Sequence, residues 1–297
     1  MKLWKIGTLV ALLAFPVMAQ VPWDQTFKPD IEAPEDFRAN RTSYSAIMDV
    51  LGPTRPEVSD EDLAELATYQ IENIWGGLGE YRENYVRGFV HTQDGIRIVG
   101  RALTMRALPP RPDLRRAVDT LAAEGNWDSR GYVRAGEEGR VGDIVVAERG
   151  GFDGDIFFGD MTALGMKLRG IKGVIIEGAT RDQNELNGEE FDGFPVYARY
   201  FDPRGPEWLG VSWNVPVRVG TATVLPGDIV VAEAEAVLFF PPEILPQVLQ
   251  AARDRQALEN YERELMNSKQ YRIRDVYPLS PALREEYERK RRQPPPQ

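Results

Sequence analysis

The chain contains no cysteine and a single histidine, His91, in 297 residues. The first absence removes a disulfide framework, a lipoprotein attachment thiol and a cysteine nucleophile. The two together exclude zinc sites built from Cys and His. A Ser-His-Asp triad would have to use His91, which falls in a predicted strand (Phe89-Val90-His91-Thr92) ahead of an Asp94-Gly95 turn. No nucleophile-elbow sequence accompanies it, so His91 reads as structural. Long apolar runs are also missing: Ile6 to Phe15 is broken by Pro16 and is too short for a spanning helix. Basic charge is scarce, with 36 Lys+Arg against 46 Asp+Glu and a net charge of −10. Losing Lys2 and Lys5 with an N-terminal leader takes −10 to −12. An acidic chain with no basic patch ahead of its tail is a poor partner for nucleic acid. Gly150, Gly151 and Gly154 form neither a Walker nor a dinucleotide fingerprint.

The leader is the first feature present. Lys2 and Lys5 precede the short apolar stretch, and Val17-Met18-Ala19 offers a small-residue cleavage site before Gln20. Residues 1–19 therefore read as a signal peptide cleaved after Ala19, placing the protein in the periplasm or outside the cell, free of the membrane. Residues 20–56, with Pro22, Pro29, Pro34, Pro53 and Pro56, read as an extended arm. One helix is expected over residues 59–78, with Asp60 and Glu61 near its start and Gly76-Gly77 at its end. An α/β domain is expected over 57–242. Residues 243–297 then form a helix (Glu243 to Met266) and a charged, disordered tail, where Arg289-Lys290-Arg291-Arg292 reads as a solvated end. The heptapeptide Gly-Asp-Ile-Val-Val-Ala-Glu occurs at 142–148 and again at 227–233, hinting at two equivalent strands.

The middle of the domain carries the chemistry. The β-branched run 142–148 reads as a buried strand, and a Gly- and Asp-rich loop follows. Met161, Leu164, Gly165 and Leu168 then repeat at helical spacing, Gly170 ends the helix, and 173–178 is a second buried strand. Strand, helix and strand form a βαβ unit, whose ligands favour the crevice beyond the carboxyl ends of the strands. Gly159-Asp160 and Arg181-Asp182 both fall at that edge, twenty residues apart, with Glu185 three residues beyond. Alone, an Arg-Asp pair is an ordinary surface ion pair and a Gly-Asp an ordinary cap. Converging, they supply two carboxylates, an arginine and a helix N-terminus whose free N–H groups favour a carboxylate. That set suits a divalent metal and a small anionic substrate. Tyr197, Tyr200, Phe201, Trp208 and Trp213 are candidates to line a pocket or to pack.

The spacing G-D-x20-R-D-x2-E resembles the class II pyruvate aldolases that cleave 4-hydroxy-4-methyl-2-oxoglutarate, which share a fold with the regulator of ribonuclease activity A. The resemblance extends through Phe194-Pro195-Val196-Tyr197-Ala198-Arg199, Asn214-Val215-Pro216-Val217 and Pro226 to Ala232, and upstream to Val99 to Met105, over roughly residues 57 to 245. It implies a swivelling β/β/α domain and a metal-dependent carbon–carbon lyase acting on a small 2-oxo acid through a pyruvate-type enolate. Decarboxylation of oxaloacetate would use the same enolate. It further implies Mg2+ or Mn2+ on Asp182, Glu185 supporting the metal from behind, Asp160 in proton transfer, and Arg181 holding the substrate. Gly159, Asp160, Met161 and Arg181 would form the substrate pocket. A homo-oligomer, a trimer or a dimer of trimers, is implied, with Glu259, Glu262 or Glu264 of the C-terminal helix as candidates to reach a neighbour's site. Glu235-Ala236-Val237 and the segment 202–213 depart from the family pattern. A non-catalytic binding protein of the same fold, and another enolate reaction such as isomerisation or hydration, stay open.

Overall fold

A computed structural model describes residues 47, 50–51, 55–126, 130–149, 156–207 and 209–292. The expected leader, nearly all of the arm, the glycine-rich loop 150–155, Trp208 and residues 293–297 lie outside the described residues. The elements below all belong to the unit that begins at Arg55.

They run α1 (Asp60–Leu66), α2 (Ile71–Gly77), β1 (Tyr85–Val86), β2 (Val90–His91), β3 (Ile98–Leu108), α3 (Pro112–Ala123), α4 (Gly131–Glu138), β4 (Asp143–Glu148) and α5 (Asp160–Leu168). Next come β5 (Gly173–Glu177), β6 (Ala179–Thr180), α6 (Gln183–Leu186), β7 (Val196–Ala198), β8 (Tyr200–Phe201) and β9 (Leu209–Trp213). The chain closes with β10 (Val217–Val219), β11 (Ala222–Val224), β12 (Ile229–Ala232), β13 (Val237–Phe240), α7 (Leu245–Asn267), α8 (Ile273–Val276) and α9 (Pro281–Arg292).

The main sheet has the order β1-β13-β12-β3-β4-β5-β7-β2, and β9 also pairs with β3. Its centre, β3-β4-β5-β7, is parallel. Both faces of that centre are covered, so its strands are apolar throughout rather than alternating with polar residues. Alternation survives in which core each residue joins. Val145 and Ala147 of β4 pack with Ala163 and Met166 of α5, while Ile144 and Val146 pack with Val219 and Val224 of the β10-β11 hairpin. The result is a layered α/β domain of the swivelling β/β/α type, with the sheet between a small hairpin and helices. A third cluster joins Leu66, Ile74 and Val248 of α1, α2 and α7 to Val99, Val231 and Phe240 of the sheet.

The two copies of the repeated heptapeptide become β4 and β12, on opposite sides of β3. The predicted βαβ unit is β4-α5-β5, with Gly170 in the left-handed region (φ 87°) where α5 ends. His91 lies on edge strand β2 beside the Tyr197 ring.

Two expectations fail. The single helix over 59–78 is two helices, because the chain leaves helical geometry between Leu66 and Ile71. Ser59 caps the first by accepting from Asp62 N–H at 3.0 Å. The Arg97 guanidinium donates to the carbonyls of Ala67 and Tyr69, taking acceptors that a continuous helix would use itself. The charged tail is also not disordered as far as Arg292. It forms α9, whose Leu283 and Tyr287 pack with Tyr261 of α7 and with Val276 and Leu279.

Candidate active site

Short backbone pairings beyond the carboxyl end of β5 hold the candidate residues. Ala179 bridges Ile156 in parallel and accepts from Phe157 N–H at 2.9 Å, and Thr180 Oγ1 donates to the Phe158 carbonyl at 2.9 Å. On the other side β6 pairs with β8, and Thr180 O accepts from Asp202 N–H at 2.9 Å. Residues 156–158, 179–180 and 200–202 thus form a stitched ledge. It delivers Gly159-Asp160, Arg181-Asp182 and Phe201-Asp202 to one place.

Asp182 is the hub. Its backbone is left-handed (φ 59°, ψ 43°), a conformation that Asp tolerates better than most side chains. The turn sends its carboxylate back toward α5, where Oδ2 accepts from Asp160 N–H at 3.0 Å and from Arg181 Nε at 3.1 Å. Both bonds fall on Oδ2, and among the described residues Oδ1 has no hydrogen-bond partner. Gly159 is the N-cap of α5, and a Cβ there would stand 2.1 Å from Asp182 Oδ2 and 2.7 Å from Arg181 Nε. Only glycine admits this contact without displacing both side chains.

Arg181, Asp182, Phe201, Asp202 and Pro203 line an open cleft of about 260 Å³. Arg181 and Asp182 are 38% and 28% exposed there, reachable yet partly shielded. Among the described residues, Arg181 engages a carboxylate only through Nε, so its two Nη nitrogens are available to an anion. The Arg204 guanidinium, aided by Arg204 N–H, holds the Asp202 carboxyl down at about 2. Asp202 is therefore a fixed negative charge on the wall. Sequence reasoning placed Phe201 among aromatic candidates and Asp202 at the head of a remodelled segment, without assigning either to the cleft. Their pairing with the strand that ends at Thr180 was the missing information.

The remaining predicted residues divide. Asp160 is half-buried beside Asp182, as expected. Its Oδ1 accepts from Met161 N–H at 2.7 Å. The helix start is consequently not open to a substrate carboxylate through these groups: the first two N–H donors of α5 are taken by Asp182 and Asp160 themselves. The Met161 side chain is 74% exposed and is not among the residues lining the cleft. Glu185 lies exposed on α6, and its side chain makes no hydrogen bond or ion pair among the described residues. Among the described residues no three acidic or histidine side chains are grouped to cage a metal ion. The donor set instead suits a hydrated hard cation held by one carboxylate, since magnesium keeps several waters and accepts one or two protein carboxylates.

Two of the three candidate carboxylates for a shared site are turned into their own chain. Glu259 accepts from Asn73 Nδ2 at 3.1 Å and pairs with Arg255 at 3.0 Å, and Glu262 is buried. Only Glu264 remains exposed on α7.

The RraA-like (Aldolase/RraA) family profile matches residues 56–239. The chain belongs to that family. A protein of Halalkalibacterium halodurans, named provisionally as a 4-hydroxy-4-methyl-2-oxoglutarate aldolase, is 31% identical over 132 residues, covering 44% of this chain and 61% of the relative. An uncharacterised protein of Methanocaldococcus jannaschii is 32% identical over 108 residues, 36% of this chain and 50% of the relative. The chain thus spans between half and three-fifths of the curated relatives it matches. Among solved structures, Streptomyces coelicolor RraAS2, described as an unusual member of the RNase ES inhibitor RraA protein family, superposes with a TM-score of 0.61 at 23% identity, covering 70% of this chain and 99% of that one. An uncharacterised Pseudomonas syringae protein gives a TM-score of 0.62 at 18% identity, covering 75% and 96%. At these identities the structural likeness speaks to the fold alone.

Proposed function

We propose that the protein is a divalent-metal-dependent carbon–carbon lyase that cleaves or decarboxylates a small 2-oxo acid. The observation that carries this reading is the Gly159-Asp160/Arg181-Asp182 cluster. Among the described residues, an arginine whose Nη donors have no partner stands beside a carboxylate with one oxygen unengaged, both on a cleft at the edge of a parallel sheet. Asp182 would hold Mg2+ or Mn2+, with water completing the shell. When bound, the cation stabilises the negative charge left by the broken carbon–carbon bond. Arg181 binds the substrate carboxylate through its paired Nη donors. Asp160, fixed by its position one residue into α5, exchanges a proton with the reacting group through water. Asp202 opposes a second anion on its side of the cleft and Phe201 offers an apolar surface.

The leader reading places this activity in the periplasm or outside the cell. The protein works as a homo-oligomer, a trimer or hexamer in this proposal. In support, Met161 and Leu168 of α5 are 74% and 78% exposed, and Val141, near the end of that helix, is 71% exposed. These apolar side chains run from Met161 next to the site to Leu168 and Val141 at the other end of α5, a surface that a second copy would cover.

The test is a pyruvate-release assay of purified protein with oxaloacetate and hydroxylated 2-oxo diacids, with and without magnesium or manganese. Turnover that disappears with chelator and in Asp182→Ala is expected. Full activity in chelator removes the metal from the proposal. No turnover of any of these acids leaves the cleft as a binding site in a non-catalytic member of the fold.

A further inference from the structure

The Arg181-Asp182 cleft has two unlike walls. One carries Arg181 and Asp182, and the other carries Phe201, Asp202 and Pro203. Parallel pairing sets Thr180 of β6 opposite Phe201 of β8, and Asp202 N–H donates to the Thr180 carbonyl at 2.9 Å. Arg181 and Asp202 therefore follow adjacent strands at the same level. Among the described residues Arg181 is the one cation lining the cleft. An acid that places its carboxylate there has no second cation to meet.

Asp202 is held in place by its own turn. Arg204 N–H donates to Oδ1 at 3.0 Å, Arg204 Nε donates to Oδ1 at 2.9 Å and to Oδ2 at 3.0 Å, and Nη2 donates to Oδ2. The Asp202 side chain is 14% exposed, while Arg204 is 52% exposed and is not among the residues lining the cleft. The guanidinium thus grips the carboxylate from outside and leaves it facing the cleft. With both oxygens already accepting from a cation, Asp202 is a poor base. Its effect on a ligand is electrostatic. A like charge in a cleft partly shielded from water is unfavourable there, and a neutral group is not penalised. Phe201 and Pro203, on either side of Asp202 in the chain, supply apolar contact for that neutral group.

We propose that Asp202 is a specificity-determining residue, which makes the cleft select 2-oxo monocarboxylates with an uncharged far end over diacids of the same length. The reaction of such acids rests on the lyase reading; the preference in binding does not. In 4-hydroxy-4-methyl-2-oxopentanoate the C3–C4 bond breaks and its electron pair stays on C3 as the pyruvate enolate. The C4 hydroxyl gives up its proton to water as acetone leaves, and protonation of C3 by water completes pyruvate. 4-Hydroxy-4-methyl-2-oxoglutarate carries a carboxylate in place of one methyl group and is cleaved more slowly.

Two measurements on the full chain with magnesium chloride test this. Isothermal titration compares 2-oxopentanoate with 2-oxoglutarate, which have the same length and no 4-hydroxyl group to permit cleavage. The monoacid should bind at least about tenfold more tightly, and Asp202→Asn should narrow the ratio to less than about threefold. If that variant does not fold, raising salt from about 0.05 M to about 0.5 M should narrow the wild-type ratio, because both acids share the Arg181 contact and differ in the charge that Asp202 opposes. Pyruvate release from the two hydroxy acids, counted per bond cleaved, should show the same order in kcat/KM. Equal or tighter binding of the diacid, saturation by neither acid, or a ratio untouched by both Asp202→Asn and salt overturns the proposal. A binding preference without turnover of either hydroxy acid removes the lyase reading and leaves the preference standing. Turnover that favours the diacid does the reverse.

Discussion

Two glycines of one helix separate the architecture of the candidate site from ordinary helix energetics. Gly159 and Gly165 cap and interrupt α5, and alanine at each has an opposite predicted effect. Gly165 is exposed, and nothing lies within 4 Å of the place its Cβ would occupy. Gly165→Ala should therefore stabilise the domain by about 0.5–1 kcal/mol, the helix-interior difference between the two residues. Gly159 has an extended backbone (φ −122°, ψ −166°) that alanine also adopts, so backbone strain contributes nothing. The clash does. A methyl group 2.1 Å from Asp182 Oδ2 must push that oxygen more than about 1 Å to reach van der Waals contact at 3.4 Å or so. Both bonds on Oδ2 are then lost. Discounted for partial exposure and for the short sequence separation of Arg181 and Asp182, they are together worth about 2–3 kcal/mol. At this domain size the midpoint of thermal unfolding should fall by roughly 4–12 °C. Under the proposed function, kcat/KM should drop about 100-fold, the order expected when a catalytic group is misplaced by about 1 Å. Circular dichroism melts of both variants and the pyruvate assay provide the measurements. A Gly159→Ala protein as stable as Gly165→Ala would refute the close approach of Gly159 and Asp182, and with it the geometry of the site.

Arg181→Lys keeps the charge and loses the planar fork, so kcat/KM should fall by at least about tenfold, or roughly 1.4 kcal/mol; unchanged kinetics would reduce Arg181 to a surface ion pair. Glu177 Oε2 accepts from Arg199 Nε at 3.0 Å, Arg199 Nη2 at 2.7 Å and Gly220 N–H at 2.9 Å. Glu177→Gln removes the charge facing a partly buried guanidinium, which keeps its bond to the Arg87 carbonyl, and should cost about 1–3 kcal/mol in urea unfolding, with little change in slope. Glu65 joins α1 to α7, and hydrogen bonds from Arg253 and then Tyr69 pull its carboxyl down to about 2 from 4.5. A carboxyl depressed in the folded state contributes stability that is present above its unfolded value and lost as pH falls through the folded one. Glu65→Gln should accordingly flatten the decline of stability between about pH 4.5 and pH 2, and an acid limb identical to wild type would argue against the contact.

The βαβ unit and the edge on which the chemistry sits were legible from β-branched runs and a glycine stop; the spacing of Met161, Leu164, Gly165 and Leu168 found the helix but not its buried face, since Met161, Gly165 and Leu168 are exposed and Ala163 and Met166 are buried. The contacts inside the site were not legible. A left-handed Asp182 has no sequence signature, since most such positions are glycine. Its consequence, the occupation of the first N–H groups of α5 by the chain's own carboxylates, therefore stayed hidden. The break at Ala67 to Gln70 depends on Arg97, roughly thirty residues away. Helix α9 was missed for another reason. Its apolar stripe is reduced to Leu283 and Tyr287 in a charge-dense stretch, and it becomes a core only when Tyr261, Val276 and Leu279 complete it. Tertiary partners supply each of these features, and composition does not record them.

The repeated heptapeptide shows what sequence identity can encode when function is not involved. Its two copies pair with the same point of β3 from opposite sides and in opposite directions. Arg101 stands opposite Asp143 of the parallel β4 and opposite Ile229 of the antiparallel β12. From there β4 runs toward Arg106 and β12 runs back toward Ile98. Both turns use glycine in the left-handed region, Gly142 at φ 90° and Gly227 at φ 79°. In both, the following buried aspartate accepts a backbone N–H three residues before it, from Arg140 to Asp143 at 2.9 Å and from Leu225 to Asp228 at 2.7 Å. Each carboxylate also meets an arginine, Arg101 or Arg55. The crowding is tight enough that a Cβ on Gly100 would stand 2.3 Å from the Gly142 carbonyl oxygen. One strand thus changes neighbours midway, and the same Gly-Asp turn solves the entry of a new strand on each flank. The apolar Ile-Val-Val-Ala that follows is what a strand covered on both faces requires. Exchanging the acid for its amide tests this equivalence: Asp143→Asn and Asp228→Asn should each destabilise, by about 1–3 kcal/mol for a weakened charge-assisted turn. The cost should be smaller at Asp228, whose carboxyl burial already pushes upward against the pull of Arg55. A neutral effect at Asp143 would mean that the turn is held by glycine alone.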